Sequence, residues 1–303
     1  MANSTLLQLV QQATAELGIP VPATVVGNPN QDVTQILALA NATGYELLRK
    51  ADWRNLTKTY SFFTGYVTTT GTTTKGSQIV TGIPSTAGLD TTYMLAGGSF
   101  PNATFIQSVD SSTQVTVTAQ ATVSQTSGTL YFQQAKYPFP SDYDAIVPRT
   151  QWDKSAHWEM IGPEDAQQWE WLMSGYISTG PRVRWRLLGN YLQIWPGFSN
   201  AENLGFEYRS KAWALAADGI MAKNSFTLDT DTCIYGDRLM VLSIKLKYFE
   251  AKGFPTQALY QDYVSELETT VGQNTSAPNL SFAPRPGSLL IGWENIPDSF
   301  PVP

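Results

Sequence analysis

The residue types that most often carry catalysis are sparse in this chain. Its one histidine is His157, so a site built from several histidines is excluded and a histidine-based triad would depend on that residue alone. An ordinary hydrogen-bonded or exposed role is expected for it. The one cysteine, Cys233, has no positive neighbour in sequence that would lower its pKa. We expect a buried structural thiol there.

Two groups of acidic residues could act as metal ligands or as catalysts. Asp229 and Asp231 could bind a cation, but the Asp-Thr-Asp run lacks further ligands, which favours a turn or a helix cap. Glycoside hydrolysis needs two carboxyl groups that flank a sugar. Nothing in the sequence places two acids opposite each other, and the chain has no phosphate-binding glycine loop. No enzyme activity and no cofactor are therefore expected. The acids among the tryptophans are Glu159, Glu164, Asp165 and Glu170.

One concentrated basic feature remains. Arg182, Arg184 and Arg186 alternate with apolar residues ahead of Gly189-Asn190, which predicts one face of a β-hairpin over 182–195. This face could meet phosphates or a partner's acidic edge, or it could be an ordinary solvated strand face. The tryptophans nearby favour a core or a subunit interface over a sugar platform.

Composition limits the choice of function classes. The net charge of −6 argues against general nucleic-acid affinity, and 15% charged with 12% aromatic residues suits a surface partly covered by neighbouring subunits. The single cysteine rules out an internal disulfide. With neither a signal peptide nor a membrane-spanning run in the sequence, a soluble protein made in a cytoplasm and no membrane partner are expected.

The elements that must position these residues begin with a helical frame. The run Asp237–Val271 predicts two amphipathic helices separated at Gly253-Phe254-Pro255, and their apolar stripes need cover. Two N-terminal helices can supply it, one that begins after Ser4 or Thr5 and one over Gln31–Ala51. In the second, small residues including Gly44 are expected to permit close helix contact. The N- and C-terminal segments thus predict a four-helix set.

Between these helices the chain changes character. From 64 to 134 threonine, serine, glycine and valine dominate, and short β-prone runs between turn signals predict a small β-sandwich or barrel. After it come a stiff link at Tyr137–Pro140, a helix that starts at Gly162-Pro163-Glu164-Asp165, the hairpin, and a third strand over Phe206–Trp213 that completes a β-meander. The fold class is α+β. The expected divisions are a core of 1–63 and 136–272, an inserted β-domain of 64–135, and an extended C-terminal arm of 273–303.

The arm is rich in proline yet too apolar for a solvated linker. Docking on another surface is the favoured interpretation, and folding back on its own domain is the alternative. Its candidate contact residues are Phe282, Leu289, Leu290, Ile291, Trp293 and Phe300.

The order of several short patterns resembles the head-to-tail adaptor proteins of short-tailed bacteriophages, the tail-tubular-A-like connectors beneath the portal. The resemblance covers the chain outside the Thr-rich insert and the arm, and no single motif in it is catalytic. The patterns that carry it are 15–20 (AELGIP), 36–41 (ILALAN), 52–56 (DWRNL), 137–144 (YPFPSDYD), 151–153 (QWD), 180–186 (GPRVRWR), 206–208 (FEY), 213–219 and the hairpin 245–271.

This resemblance implies a structural virion protein in the neck of the tail, assembled in the host cytoplasm. It implies a homo-oligomeric ring of twelve copies that binds the portal and the tail nozzle, and possibly a tail fibre, while DNA passes through the channel without specific binding. In such a ring the face that carries Lys245 and Lys247 would meet the next subunit or the channel. A carbohydrate-binding, adhesin-like tail module is the alternative that the insert and the tryptophans suggest.

Overall fold

The computed structural model describes residues 3–97, 99–175 and 182–274, and these residues form an α+β fold with five α-helices and a closed six-stranded β-barrel. A short 3-10 turn at Arg54–Leu56 follows the second helix. The helices are α1 (Leu6–Leu17), α2 (Gln31–Lys50), α3 (Ala166–Met173), α4 (Asp237–Lys252) and α5 (Gln257–Asn274).

Local signals set the helix ends. The Thr5 side chain accepts from the Gln8 N–H while Gln8 bonds back to the Thr5 N–H, a capping box that starts α1. Gly18 and Gly253 adopt the left-handed conformation (φ 71° and 74°) that ends α1 and α4. The predicted break between the last two helices is therefore confirmed.

Helix α4 lies at the centre of the helical part, since α1, α2 and α5 each contact it. Its burial extends beyond the apolar stripe predicted for it, because Met240, Val241 and Ile244 are buried as well. The predicted stripe is Leu239, Leu242, Leu246 and Phe249, and of these Phe249 is only partly buried. In α5, by contrast, Tyr263 is the one buried residue and the other apolar residues of its stripe are partly exposed.

The Thr-rich region forms the barrel. The first strands of the chain are β1 (Thr57–Phe63), β2 (Tyr66–Thr73), β3 (Ile79–Thr81), β4 (Tyr93–Ala96), β5 (Thr104–Ser111), β6 (Gln114–Val117) and β7 (Gln125–Gln134). The strands of the barrel follow the order β2-β3-β6-β5-β4-β7, and β2 pairs with β7 to close it, so of the two predicted architectures the barrel is the one observed. The alternation of Val115 with Val117 and of Leu130 with Phe132 places all four side chains in its interior.

The later strands build three small sheets. One has the order β1-β14-β10-β11 with β9 also on β14, another β12-β13-β8, and the third β16-β15-β17. Their bounds are β8 (Lys136–Pro138), β9 (Tyr143–Ile146), β10 (Trp152–Asp153), β11 (Trp158–Glu159), β12 (Arg184–Leu188), β13 (Tyr191–Trp195), β14 (Asn203–Ser210), β15 (Ala214–Leu215), β16 (Ala222–Lys223) and β17 (Thr232–Cys233).

The predicted β-meander is wrong in its third strand. The hairpin turns at Gly189-Asn190 as expected, with Leu188 opposite Tyr191. Its third strand, however, is β8, which belongs to the run predicted as a stiff link. The strand around Phe206 is β14. It lies in another sheet, where it pairs with β1 over the full length of that strand.

Two further details differ from expectation. Asp165 is the N-cap of α3 and accepts from the Gln168 N–H, so Pro163 lies outside the helix rather than in its first turn. Helix α5 continues through Asn274, so its last two residues, 273 and 274, lie within the predicted arm.

A buried cluster joins α3 to the barrel and the hairpin sheet. Trp169 and Leu172 of α3 pack with Met94 of the barrel, Ala135 at its exit and Trp195 of β13. The barrel is thus held by apolar packing as well as by its two connecting chains. In the part of the chain that the structure describes, the helices are all too short or too polar to cross a membrane.

Candidate partner-contact surfaces

The three predicted arginines lie along β12 and just before it, and each is bonded to a side chain of its own chain. Arg182 donates to Glu159 at 2.8 Å and Arg184 to Glu164 at 2.7 Å. The Nε of Arg186 donates to Gln193 at 3.0 Å, and its guanidinium lies 4.6 Å from the centre of the Trp169 ring.

This arrangement gives the arginines a structural task. Only 6% of the Glu164 side chain is exposed, so Arg184 neutralises a carboxylate that would be costly to bury alone. Burial lowers the pKa of Arg186, although the nearby Glu170 opposes that shift. The face thus ties the hairpin sheet to the segment before α3 and to α3 itself.

The α4 lysines form a second set of ties. Lys245 and Arg238 both donate to Glu16 of α1, at 2.7 and 2.9 Å, and Lys247 is bonded to Glu46 of α2. Burial alone would raise the pKa of Glu16, but hydrogen bonds from Lys245, Gln12 and Arg238 together lower it below its usual value. Only 15% of Lys245 and 17% of Lys247 is exposed. Both candidate contacts therefore hold α4 to the N-terminal helices.

A polar cleft of about 170 Å³ opens beside Lys247, between α2, α4 and α5. Thr43 also lines it, and the Thr43 hydroxyl is buried with no hydrogen-bond partner among the described residues. The other residues around it are Glu46, Leu47, Lys50, Ser243, Leu246, Glu250, Tyr260 and Tyr263.

The predicted arm contacts Phe282, Leu289, Leu290, Ile291, Trp293 and Phe300 lie outside the described residues. What the structure fixes is where the arm begins. Asn274 donates from Nδ2 to the backbone oxygen of Asp52 at 2.8 Å and accepts from the backbone N–H of Arg54 at 3.1 Å. The C-terminal end of α5 is thus attached just ahead of β1.

The residues that were considered for catalysis or metal binding have structural surroundings that explain them. His157 is exposed on a turn with φ 58°, and Cys233 is fully buried. Asp229 accepts from the N–H groups of Val25 and Val26, and its backbone oxygen and that of Asp231 receive the first N–H groups of α1. A turn or a helix cap was expected for this pair, and the backbone oxygens of the turn cap α1. Among the described residues, no cluster of histidine, cysteine and acidic side chains could hold a metal ion.

Sequence reasoning missed three features. Asp142 is a hub that accepts from Lys58, Ser210 and Tyr208 at 2.7, 2.6 and 2.8 Å. Ile220 is 85% exposed at the tip of the β15–β16 hairpin, where an Asp-Gly pair is the turn signal that could have located it. Trp171 of α3 is 48% exposed and lines a shallow depression with Asp165, Gln167 and Gln168.

Comparison with known proteins adds no further assignment. The sequence matches no protein-family model, and no curated protein matches it.

Proposed function

We propose that this chain is a structural virion protein, the head-to-tail adaptor of a short-tailed bacteriophage. Copies of it form a ring of twelve that joins the portal to the tail nozzle and continues the DNA channel. The observation that supports this most is the position of α4, which is contacted by helices from both ends of the chain. We propose that these four helices form the adaptor's bundle, with the barrel as its inserted domain.

The charge distribution is compatible with this role. The chain carries a net charge of −6, and the basic side chains of α4, together with Arg184 of β12, are already bonded to acids of the same chain. A ring of such subunits attracts DNA weakly, which suits passage through a channel better than binding to it.

The contacts of the ring divide among three parts of the chain. The helical part makes the side-to-side contacts, the C-terminal arm binds the portal, and the β-strand surfaces meet the nozzle and, where present, a tail fibre. The exposed Ile220 belongs to a rigid turn, since Asp218 accepts from the N–H groups of Ile220 and Met221. A large apolar side chain held in place this way is suited to a protein contact.

Mixing the purified protein with its purified portal tests the proposal. Size-exclusion chromatography with negative-stain imaging should show rings of the chain stacked on the portal. Removal of residues 275–303, which keeps the Asn274 attachment, should leave a folded protein that no longer joins the portal. Failure of the full chain to bind the portal under assembly conditions would reject the adaptor function.

A second candidate function is favoured by one observation. The exposed indole of Trp171 lies beside the side chains of Gln167, Gln168 and Asp165, and an aromatic ring next to amides and a carboxylate is a combination that binds sugars. A carbohydrate-binding, adhesin-like module would show saturable binding on a glycan array that is lost in Trp171→Ala and kept in Trp152→Ala, which removes an exposed indole elsewhere.

A further inference from the structure

β1 is the edge strand of its sheet. It is 7 residues long and pairs with β14 from Thr57 opposite Arg209 to Phe63 opposite Asn203, without a bulge. The other side of β14 carries β9 and β10, and β14 is the only partner of β1 within residues 3–97, 99–175 and 182–274. An edge of this length and regularity presents backbone groups that another extended segment can join.

The unpaired side of β1 can be assigned residue by residue. The Thr64 N–H donates to Glu202 O at 2.9 Å. Hydrogen-bonded and non-hydrogen-bonded positions alternate in an antiparallel pair, so the backbone groups of Phe63, Ser61 and Thr59 point away from β14. On the inner face of the same strand the rings of Tyr60 and Phe62 are only partly buried. An added strand would therefore satisfy backbone groups and cover two aromatic rings.

The end of α5 identifies the segment that can reach this edge. Asn274 is bonded to the backbone of Asp52 and Arg54. The end of α5 therefore lies beside the residues that immediately precede Thr57, the first residue of β1. A surface depression of about 320 Å³ opens here, lined in part by Thr57, Val147 and Pro148. Residues 275–303 continue from this point.

The positions of the prolines leave one stretch of residues 275–303 that could pair as a strand. Proline has no N–H and cannot donate to a ladder, and it occurs at positions 278, 284, 286, 297, 301 and 303. The longest run without proline is 287–296, which is longer than β1. Within it Leu289, Ile291 and Trp293 alternate with Leu290, Gly292 and Glu294, so a strand would place three large apolar side chains on one face.

The connecting residues 275–286 are long enough for this stretch to reach the edge. Fully extended they span about 40 Å, whereas β1 itself is about 23 Å long. The segment can therefore reach either end of β1, and attachment through Asn274 keeps its effective concentration at the edge high.

We propose that segment 287–296 adds to the free edge of β1 of the same chain as a further strand, with Leu289, Ile291 and Trp293 over Tyr60 and Phe62. The free protein would then carry its own edge protection until assembly. This inference concerns the unassembled chain and stands whether or not the chain is a phage adaptor.

Hydrogen exchange of the full-length protein, followed by mass spectrometry, tests the proposal. The double variant Ile291→Pro/Gly292→Pro removes two consecutive donors in the middle of the added strand, and one of them faces β1 whether the strand is parallel or antiparallel to it. The matched control outside the stretch is Asp298→Pro/Ser299→Pro. Peptides that cover residues 57–63 should exchange at least about tenfold faster in Ile291→Pro/Gly292→Pro at the outward-facing amides, and at the wild-type rate in the control. Equal exchange in the wild type and Ile291→Pro/Gly292→Pro would overturn the proposal.

Dilution distinguishes the two possible sources of the strand. Protection within one chain is independent of protein concentration. Protection of residues 57–63 that is sensitive to Ile291→Pro/Gly292→Pro but disappears on dilution would mean that a neighbouring copy supplies the segment, and the proposal for a single chain would be wrong.

Discussion

The backbone of Gly44 in α2 lies directly against the indole of Trp213. A Cβ atom added at Gly44 would come within 2.1 Å of Trp213 Cζ2, closer than any real contact of that kind. The Trp213 ring is fully buried and also packs against Phe226 and Tyr235, so it has little room to shift. The small residue that was expected to permit helix contact instead admits an aromatic ring from the segment between β14 and β15.

Gly44→Ala should therefore destabilise the protein. Overpacking typically costs about 1–3 kcal/mol, and the better helix propensity of alanine returns at most about 1 kcal/mol. We expect a net loss of about 1–2 kcal/mol in the free energy of unfolding, measured by urea denaturation.

Gly272→Ala is the matched control, because Gly272 is also helical and a Cβ there meets nothing within 4 Å. It should leave stability unchanged or raise it slightly. Equal effects at the two positions would mean that the contact with Trp213 does not constrain α2.

Asp231 should make stability depend on pH. Its buried carboxylate accepts from Lys223 at 2.8 Å and from the N–H groups of Thr227 and Leu228 at 2.7 and 2.9 Å. Burial alone would raise the pKa of Asp231, but these hydrogen bonds lower it below its usual value. Its contribution is therefore complete above the unfolded pKa of about 3.9 and is lost as pH falls through the lower folded pKa.

Asp231→Asn should lower the free energy of unfolding by about 2–3 kcal/mol at pH 7, because bonds to a charged group are lost. Below pH 4 the difference from the wild type should shrink. Asp262→Asn, at an exposed position of α5, should leave the free energy of unfolding unchanged both at pH 7 and below pH 4. A deficit that stays constant from pH 7 to pH 3 would show that the charge of Asp231 is not what stabilises this turn.

Cys233 should be unreactive in the folded protein. Burial raises the pKa of its thiol to about 12, and the reactive species is the thiolate. With Ellman's reagent at pH 8, the native protein should show no reacting thiol over an hour. After unfolding in guanidinium, one thiol equivalent should react. Stoichiometric reaction of the native protein within minutes would place Cys233 at the surface.

Lys247 could serve only its ion pair with Glu46, or it could also contact a neighbouring subunit, and a charge exchange separates these two roles. Lys247→Glu alone places a like charge against Glu46. It should lower the melting temperature by a few degrees, since a salt bridge near the surface contributes up to about 1 kcal/mol. Lys247→Glu combined with Glu46→Lys should restore it. Assembly onto the portal is then measured in the stable double variant. A persistent defect would assign this face to a subunit contact, and full recovery would limit Lys247 to its tie with Glu46.

Local signals made most of the helices predictable. The capping residue Thr5, the terminating glycines at 18 and 253 and the apolar periodicity between them are properties of short stretches, and the structure follows them. The hairpin turn at Gly189-Asn190 was predictable for the same reason. The Thr-rich composition identified a β-fold, but β2 and β4 lacked the apolar alternation that marks a strand.

Pairings between distant residues could not be predicted. On one side β14 pairs with β1, which lies some 140 residues upstream, and no local sequence pattern indicates this pairing. The same holds for side-chain partners. Arg182 and Arg184 were expected to meet phosphates, a partner's acidic edge or solvent. Their acids in the same chain, Glu159 and Glu164, are brought to them only by the fold. Alternation in sequence shows which residues share a face, but it does not show what covers that face.

The most direct test of the adaptor proposal is a reconstruction of the neck in intact particles at a resolution that traces the chain. We expect a closed ring of twelve copies between portal and nozzle, with the helical part at the subunit contacts and the six-stranded barrel as a separate lobe on each copy. Density for this chain at another location in the particle, or its absence from the neck of complete particles, would contradict it.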